Sequence, residues 1–440
     1  MIKSGILIIL LIVLLVTYST CLSENIFFEE KGAISDFYEY ANKEWLSSSE
    51  IPENAVVLNN WGILWDRITD KSYEILAGRS NYDLDKAHLF VLEQLRNLYN
   101  STESTNTTYL KRVNFVQKQF PILFGVLFSR ITVTMSKEDK INELIHYLTL
   151  AYKTKIKQSN KVSDYYENLF LSKLEKMKFE VGAPDLNMLP DVPALSENDL
   201  EENLRLAEEY QVEISKYGIE WNTPPHETDC FFYFNSNKMK IYAGILFDEK
   251  FEDDSDFVYL YSTIGRTIAH EMTHAFDGTG LNFDENGKRI SWFKKLFSGV
   301  LFRSQIWKTS DLALINQFSG YSIQDSMYVN GENTLQENFA DLGGFEISLA
   351  ALKIYIQERY PLYSEEETSA AISRFYIYFA QFWREKTTPE FELASLKRMH
   401  TPQKFRAIGP VYNQDEFYLI FDIDKLSEYY IPKEQRISIW

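Results

Sequence analysis

The stretch His270-Glu271-Met272-Thr273-His274 has the residue types and spacing of a metal-dependent hydrolytic site. On an α-helix, side chains four apart lie one above the other, so His270 and His274 can aim two imidazoles at one metal ion. Glu271 lies about 100° around the helix from His270, close enough to reach a water beside that ion. The surroundings suit a buried helix. Ile264, Ile268 and Met272 form an apolar stripe, and Gly278 and Gly280 follow as stop signals.

A zinc site that does chemistry keeps three protein ligands and an open position. Two further carboxylates have helical spacing. Glu337 and Asp341, four apart, open an apolar helix that continues through Ile347, Leu349, Leu352 and Ile354. One can ligate the metal while the other holds a ligand imidazole. Gly343 and Gly344 would let a neighbouring helix approach closely.

The elements that must position these groups read as mainly α with a small β part. Helical patterns cover residues 61–76, 84–98, most of 115–152, 164–179 and 199–217, with a proline-containing segment at 181–195. Phe231 to Phe234 and Met239 to Tyr242 flank a turn-like Asn235-Ser236-Asn237. They predict a hairpin or an edge strand beside the metal helix. No internal repeat is evident.

The net charge of −18 argues against nucleic acid or an anionic membrane surface as a partner, since both demand a basic face. Lys3 followed by the apolar run Gly5 to Val16 predicts a secretory signal over residues 1–23. The alternative is an uncleaved anchor, which would make the chain a type II membrane-anchored ectodomain; membrane is a partner only in that case. With Cys21 removed alongside the signal, Cys230 would stand alone, so the fold must be held by its core. Asn100-Ser-Thr and Asn106-Thr-Thr are glycosylation sequons in a Ser/Thr/Asn-rich stretch, as expected of a surface loop in a secreted protein.

The pairing of His270 to Asp277 (H-E-x-x-H-x-F-D) with Glu337 to Gly344 (E-N-x-A-D-x-G-G) resembles the neprilysin and endothelin-converting-enzyme family of zinc metallopeptidases. Asn330 to Leu335, Phe379 to Trp383, and His400-Thr401-Pro402 with Phe405-Arg406 extend the likeness, as do Trp440 and the segment Asp36 to Trp45. The resemblance implies a gluzincin-type catalytic domain at 221–440 and a reduced N-terminal helical domain at 24–220. It implies one zinc ion, with His270, His274 and Glu337 as ligands and Glu271 as the general base acting on the zinc-activated water. Asp341 would orient a ligand histidine, and Asp277 would have an orienting role. His400 would stabilise the tetrahedral oxyanion. Arg406 would bind the substrate's backbone carbonyl or a nearby carboxylate.

The chain also departs from that pattern. It is much shorter than typical members, and the loss falls in the helical half that roofs the active site. Positions matching family cysteines are Asn42, Arg384 and Ile437. The family's substrate-binding Asn-Ala pair falls at Asp229-Cys230, where an ionised Asp only accepts hydrogen bonds. The resulting expectation is a secreted zinc endopeptidase acting on oligopeptides, on the amino side of an apolar residue as the family does. The alternatives are a zinc-binding pseudoprotease that holds peptides or a partner without cleaving, and an aminopeptidase. The last would need a site for a free N-terminus, and the sequence has no dedicated acidic motif for one.

Overall fold

The computed structural model describes residues 33–103, 107–221, 223–252, 254–291, 306–324 and 327–440. The expected signal segment, Cys21 and Asn106 lie outside them. The first half runs through α1 (Phe37–Ser48), α2 (Asn60–Leu76), α3 (Lys86–Ser101), α4 (Tyr109–Gln119), α5 (Pro121–Thr132), α6 (Met135–Gln158), α7 (Asp164–Lys176) and α8 (Leu200–Lys216). Many of these starts are legible as side-chain caps. Asp36, Asn59, Asp85 and Asp199 each accept a backbone N–H from the first turn that follows.

The helical pattern over 115–152 is broken twice. Phe120 leaves the helical region (φ −131°) because Pro121 follows and occupies the first position of α5. Thr134 then caps α6, accepting from Lys137 N. The pattern over 164–179 ends at Lys176. Lys178–Gly182 is instead strand β2, because it pairs in parallel with a strand some 60 residues on. That sheet has the order β2, β4 (Lys238–Tyr242), β3 (Cys230–Tyr233). The predicted hairpin is therefore present, and its β3 is also an edge strand. Two small antiparallel pairs complete the β part: β1 (Val57–Asn59) with β7 (Glu385–Thr387), and β5 (Ser322–Gln324) with β6 (Met327–Tyr328).

The second half holds α9 (Arg266–His274), α10 (Lys308–Ser319), α11 (Leu335–Arg359), α12 (Glu365–Phe382), α13 (Pro389–Ser395) and α14 (Gln403–Val411). Helix α9 continues directly from Phe257–Leu260 through a π-helical turn, Tyr261–Gly265. Such turns recur at functional sites. The Tyr261 carbonyl accepts a bond from Ser348 Oγ on α11.

Helices α9 and α11 form the central contact, and glycine makes it possible. A Cβ at Gly344 would sit 2.6 Å from His270 N, and one at Gly343 would sit 2.8 Å from Thr273 Cγ2. Behind α9, the buried Tyr152 of α6 donates to Ala269 O at 2.6 Å and contacts Thr273 Oγ1 at 2.7 Å. One hydrophobic cluster extends from Phe37 to Trp440, so helices from both halves share a core. Where the resemblance placed cysteines, noncovalent contacts hold the chain. Asn42 Nδ2 donates to Ala380 O, Arg384 Nε donates to Asn60 Oδ1, and Ile437 N donates to Asn413 Oδ1.

Gly344→Ala should cost about 1–3 kcal/mol, the usual range for overpacking, seen as a lower midpoint in urea denaturation. A second prediction concerns pH. His226 is buried against the Phe124 ring, and burial pushes its imidazole down to about 3. The unfolded chain protonates this group near pH 6.5 and the folded chain does not, so stability falls as pH drops from about 6.5 towards 3. Its contribution is at most about 1.4 kcal/mol per pH unit. His226→Phe should flatten the slope measured by urea denaturation between pH 7 and 5.

Candidate metal centre

Helix α9 presents His270 and His274 on one face, with ring centroids 4.9 Å apart. His270, Glu271 and His274 each bring a ligand atom within 4.8 Å of the others. Helix α11 delivers Glu337 from its first turn. Glu337 Oε2 lies 3.2 Å from His270 Nε2 and 3.9 Å from His274 Nε2. Ligands on a tetrahedral zinc at about 2.0–2.1 Å stand roughly 3.3 Å apart, so these separations fit one ion.

The other nitrogen of each imidazole meets a carboxylate. His274 Nδ1 lies 2.8 Å from Asp277 Oδ2, and Asp277 Oδ1 accepts from Thr279 N and Gly280 N, both at 2.7 Å. His270 Nδ1 lies 2.8 Å from Asp341 Oδ1, off the line of an ideal N–H···O bond. Both imidazoles are thus steered to offer Nε2 towards Glu337, the arrangement that metal-ligating histidines require. Of the two open assignments for the α11 pair, the geometry puts Glu337 with the imidazole Nε2 atoms and Asp341 behind His270.

Asp341 is 1% exposed and gathers two cations as well. Arg406 of α14 donates from Nε at 2.6 Å and from Nη2 at 2.8 Å, and Arg266 Nη1 stands 3.5 Å away. Burial alone would raise the Asp341 carboxyl, but Arg406 and His270 outweigh it and hold it well below the usual range. Burial likewise opposes ionisation of Glu337, yet His270 and His400 keep it strongly acidic. Burial lowers both imidazoles, and the carboxylates more than compensate. His270 rises above its ordinary value, and His274 rises to about 9. Burial raises the Glu271 carboxyl above its ordinary value, against the pull of His270 and His274.

Glu271 Oε2 also accepts from Phe232 N on edge strand β3 at 3.1 Å. Asp229 and Cys230, at the start of that strand, line the same recess of about 600 Å³ as His270, Glu271, His400 and Arg406. Cys230 is a free, buried thiol. The Asp229 carboxyl accepts from Cys230 N, and burial lifts it to about 6. His400, half exposed, places Nε2 3.0 Å from Glu337 Oε2. From the first half of the chain, Trp61 lines the recess, its ring against Phe382. Asn100 is exposed in the last turn of α3 rather than in a loop.

Sequence reasoning passed over several residues. Arg266 sits one turn before His270, and that i, i+4 spacing was a usable signal. Asn338 and Thr401, beside Glu337 and His400, bond to each other at 2.7 Å and fix the His400 segment to α11. Trp383 is stacked by the guanidinium groups of Arg266 and Arg406 at 4.4 and 4.2 Å. The last two contacts join segments distant in sequence and left no local signal.

Residues 230–437 match the family described as peptidase family M13. The likeness to the neprilysin and endothelin-converting-enzyme family therefore rests on more than short motifs. The neutral endopeptidase of Lactococcus lactis subsp. lactis is 23% identical over 84% of this chain and 60% of its own length. Human membrane metallo-endopeptidase-like 1 is 25% identical over 86% of this chain and 49% of its own. The chain thus spans about half to three-fifths of the length of these relatives. Among solved structures, the zinc metalloprotease ZMP1 of Mycobacterium tuberculosis, crystallised with an inhibitor, superposes with a TM-score of 0.61. It is 25% identical and covers 76% of this chain and 51% of that one. The mainly helical metallopeptidase fold is common to both.

Asp341→Asn should weaken zinc binding about 10–100-fold by loosening His270, as measured with a competing chelator. Zinc takes neutral imidazoles, and His274 binds its proton up to about pH 9 without metal. Zinc binding at pH 7 should therefore release protons, and affinity should fall as pH drops. Titration calorimetry in buffers of different ionisation heat checks both.

Proposed function

We propose that this chain is a secreted, zinc-dependent endopeptidase of the M13 type that hydrolyses peptide bonds of oligopeptides. The observation that carries the reading is the approach of Glu337 to the Nε2 atoms of His270 and His274, with Glu271 on the same recess. His270, His274 and Glu337 would hold one zinc ion, which when bound polarises the scissile carbonyl and lowers the pKa of the attacking water. Glu271 takes the proton from that water and passes it to the leaving amine. Phe232 N, donating to Oε2, holds the Glu271 carboxylate in place. Asp341 and Asp277 keep His270 and His274 in the orientation that binding requires. His400, on the recess and anchored through Thr401, supplies a donor to the developing oxyanion. Arg406 gives its Nε–Nη2 edge to Asp341, which leaves Nη1 for a substrate carbonyl. Edge strand β3, which follows Asp229 directly, runs beside Glu271 and gives an extended peptide a strand to lie along.

In this reading residues 1–23 are the signal, 24–220 the reduced helical region and 221–440 the catalytic domain, with glycans on Asn100 and Asn106. Among the described residues no helix is long and apolar enough to cross a membrane. The membrane-anchored alternative rests on the apolar run within residues 1–23, which lie outside the described residues. A second functional reading, a zinc-binding pseudoprotease, is favoured by Asp229. Its carboxylate adds negative charge beside Glu271 on the substrate strand.

The purified protein loaded with zinc should cleave a mixed peptide library. A chelator should abolish cleavage and added zinc restore it. Glu271→Gln should lower cleavage at least about 100-fold while retaining one zinc per chain; His270→Ala should lose the metal. Full zinc occupancy with no cleavage would establish the pseudoprotease instead.

A further inference from the structure

Arg266 lies on the wall of the recess, one turn before His270 on α9. It is 2% exposed. Its guanidinium carbon lies 4.4 Å from the Trp383 ring centroid and 5.0 Å from that of Phe382. Its one ion-pair contact among the described residues is the 3.5 Å approach of Nη1 to Asp341 Oδ1. Asp341 is already engaged at shorter range by Arg406 and His270, so one carboxylate serves two guanidinium groups. Among the described residues, Nε and Nη2 of Arg266 are buried without a hydrogen-bond partner. These two atoms form the edge of a guanidinium that grips a carboxylate through two parallel bonds, and Arg406 uses the same edge on Asp341. A buried cation with an idle binding edge is costly unless something completes it. Asp229, on the same recess, has its Oδ1 taken by Cys230 N, and no ion pair joins it to Arg266 among the described residues.

We propose that Arg266 determines specificity, its free Nε–Nη2 edge receiving the side-chain carboxylate of a glutamate or aspartate that flanks the bond to be cut. The inference rests on the peptidase reading and replaces the expected apolar preference with an acidic one. The planar fork favours a carboxylate over an amide of equal shape, because each bond to an ionised acceptor is about twice as strong as to a neutral one.

The test uses the full-length zinc-loaded protein. Glu271→Gln is titrated with fluorescent peptides that differ only in carrying Glu, Gln or Leu on either side of the scissile position. The Glu peptide should bind about tenfold or more tightly than the Gln peptide. In Arg266→Met that ratio should collapse to about one and the Leu peptide should gain, with zinc still bound. Arg266→Lys, keeping the charge without the fork, should fall between. Thermal unfolding identifies any variant that does not fold, and the Glu-to-Gln ratio in unaltered Arg266 protein decides without variants. Equal binding of Glu and Gln peptides, or a Leu preference with Arg266 in place, overturns the proposal. Cleavage with a Leu preference would sink the Arg266 assignment alone. Arg266-dependent Glu binding without cleavage by the Glu271 protein would sink the peptidase reading alone. No binding of any peptide would remove both.

Discussion

The Asp341 carboxylate is the contact on which the rest of the site depends. It is a buried charge that meets His270, Arg406 and Arg266 at once. A buried carboxylate survives only when its lone pairs are occupied by good donors. Here those donors come from α9 and α14, so the electrostatics of one side chain on α11 hold three helices in register. The same contact steers His270 Nδ1, which turns Nε2 towards Glu337. Structural cohesion and metal geometry are therefore one interaction and not two.

That interaction works only at short range between helix axes. Gly343 and Gly344 remove the side chains that would keep α11 away from Thr273 and His270. Tyr152 of α6 supports α9 from behind, and the π-helical turn before Arg266 shifts the phase of the helix where the metal face begins. The first half of the chain thus contributes to the site chiefly as a backing. Trp61 is its representative on the recess itself, which leaves the face near His400 more open than the deep wall beside Arg266.

The charge balance of the recess also has a direction. Glu271, Glu337, Asp341 and Asp277 concentrate negative charge around two imidazoles, which draws a divalent cation and raises the proton affinity of those rings in its absence. Arg266 and Arg406 lie on the Trp383 side, each guanidinium within 4.4 Å of the indole centroid.

Much of the candidate site was legible in the chain itself, because helical spacing is a local property. His270 with His274, and Glu337 with Asp341, share a face whenever their segments are helical, and Pro121 and the cap residues mark helix starts by local sterics and hydrogen bonding. The β3–β4 hairpin was readable for the same reason. What spacing could not supply was which distant faces meet. The helical pattern over 164–179 ran into the first two residues of strand β2, which only its pairing with β4 makes a strand; Arg266 was passed over, and Asn338 carried no sign of Thr401. Burial and partnership are set by the packing of segments far apart in the chain. Only the tertiary structure decided that Asp341 would be shared by two arginines and that one of them would keep a free edge.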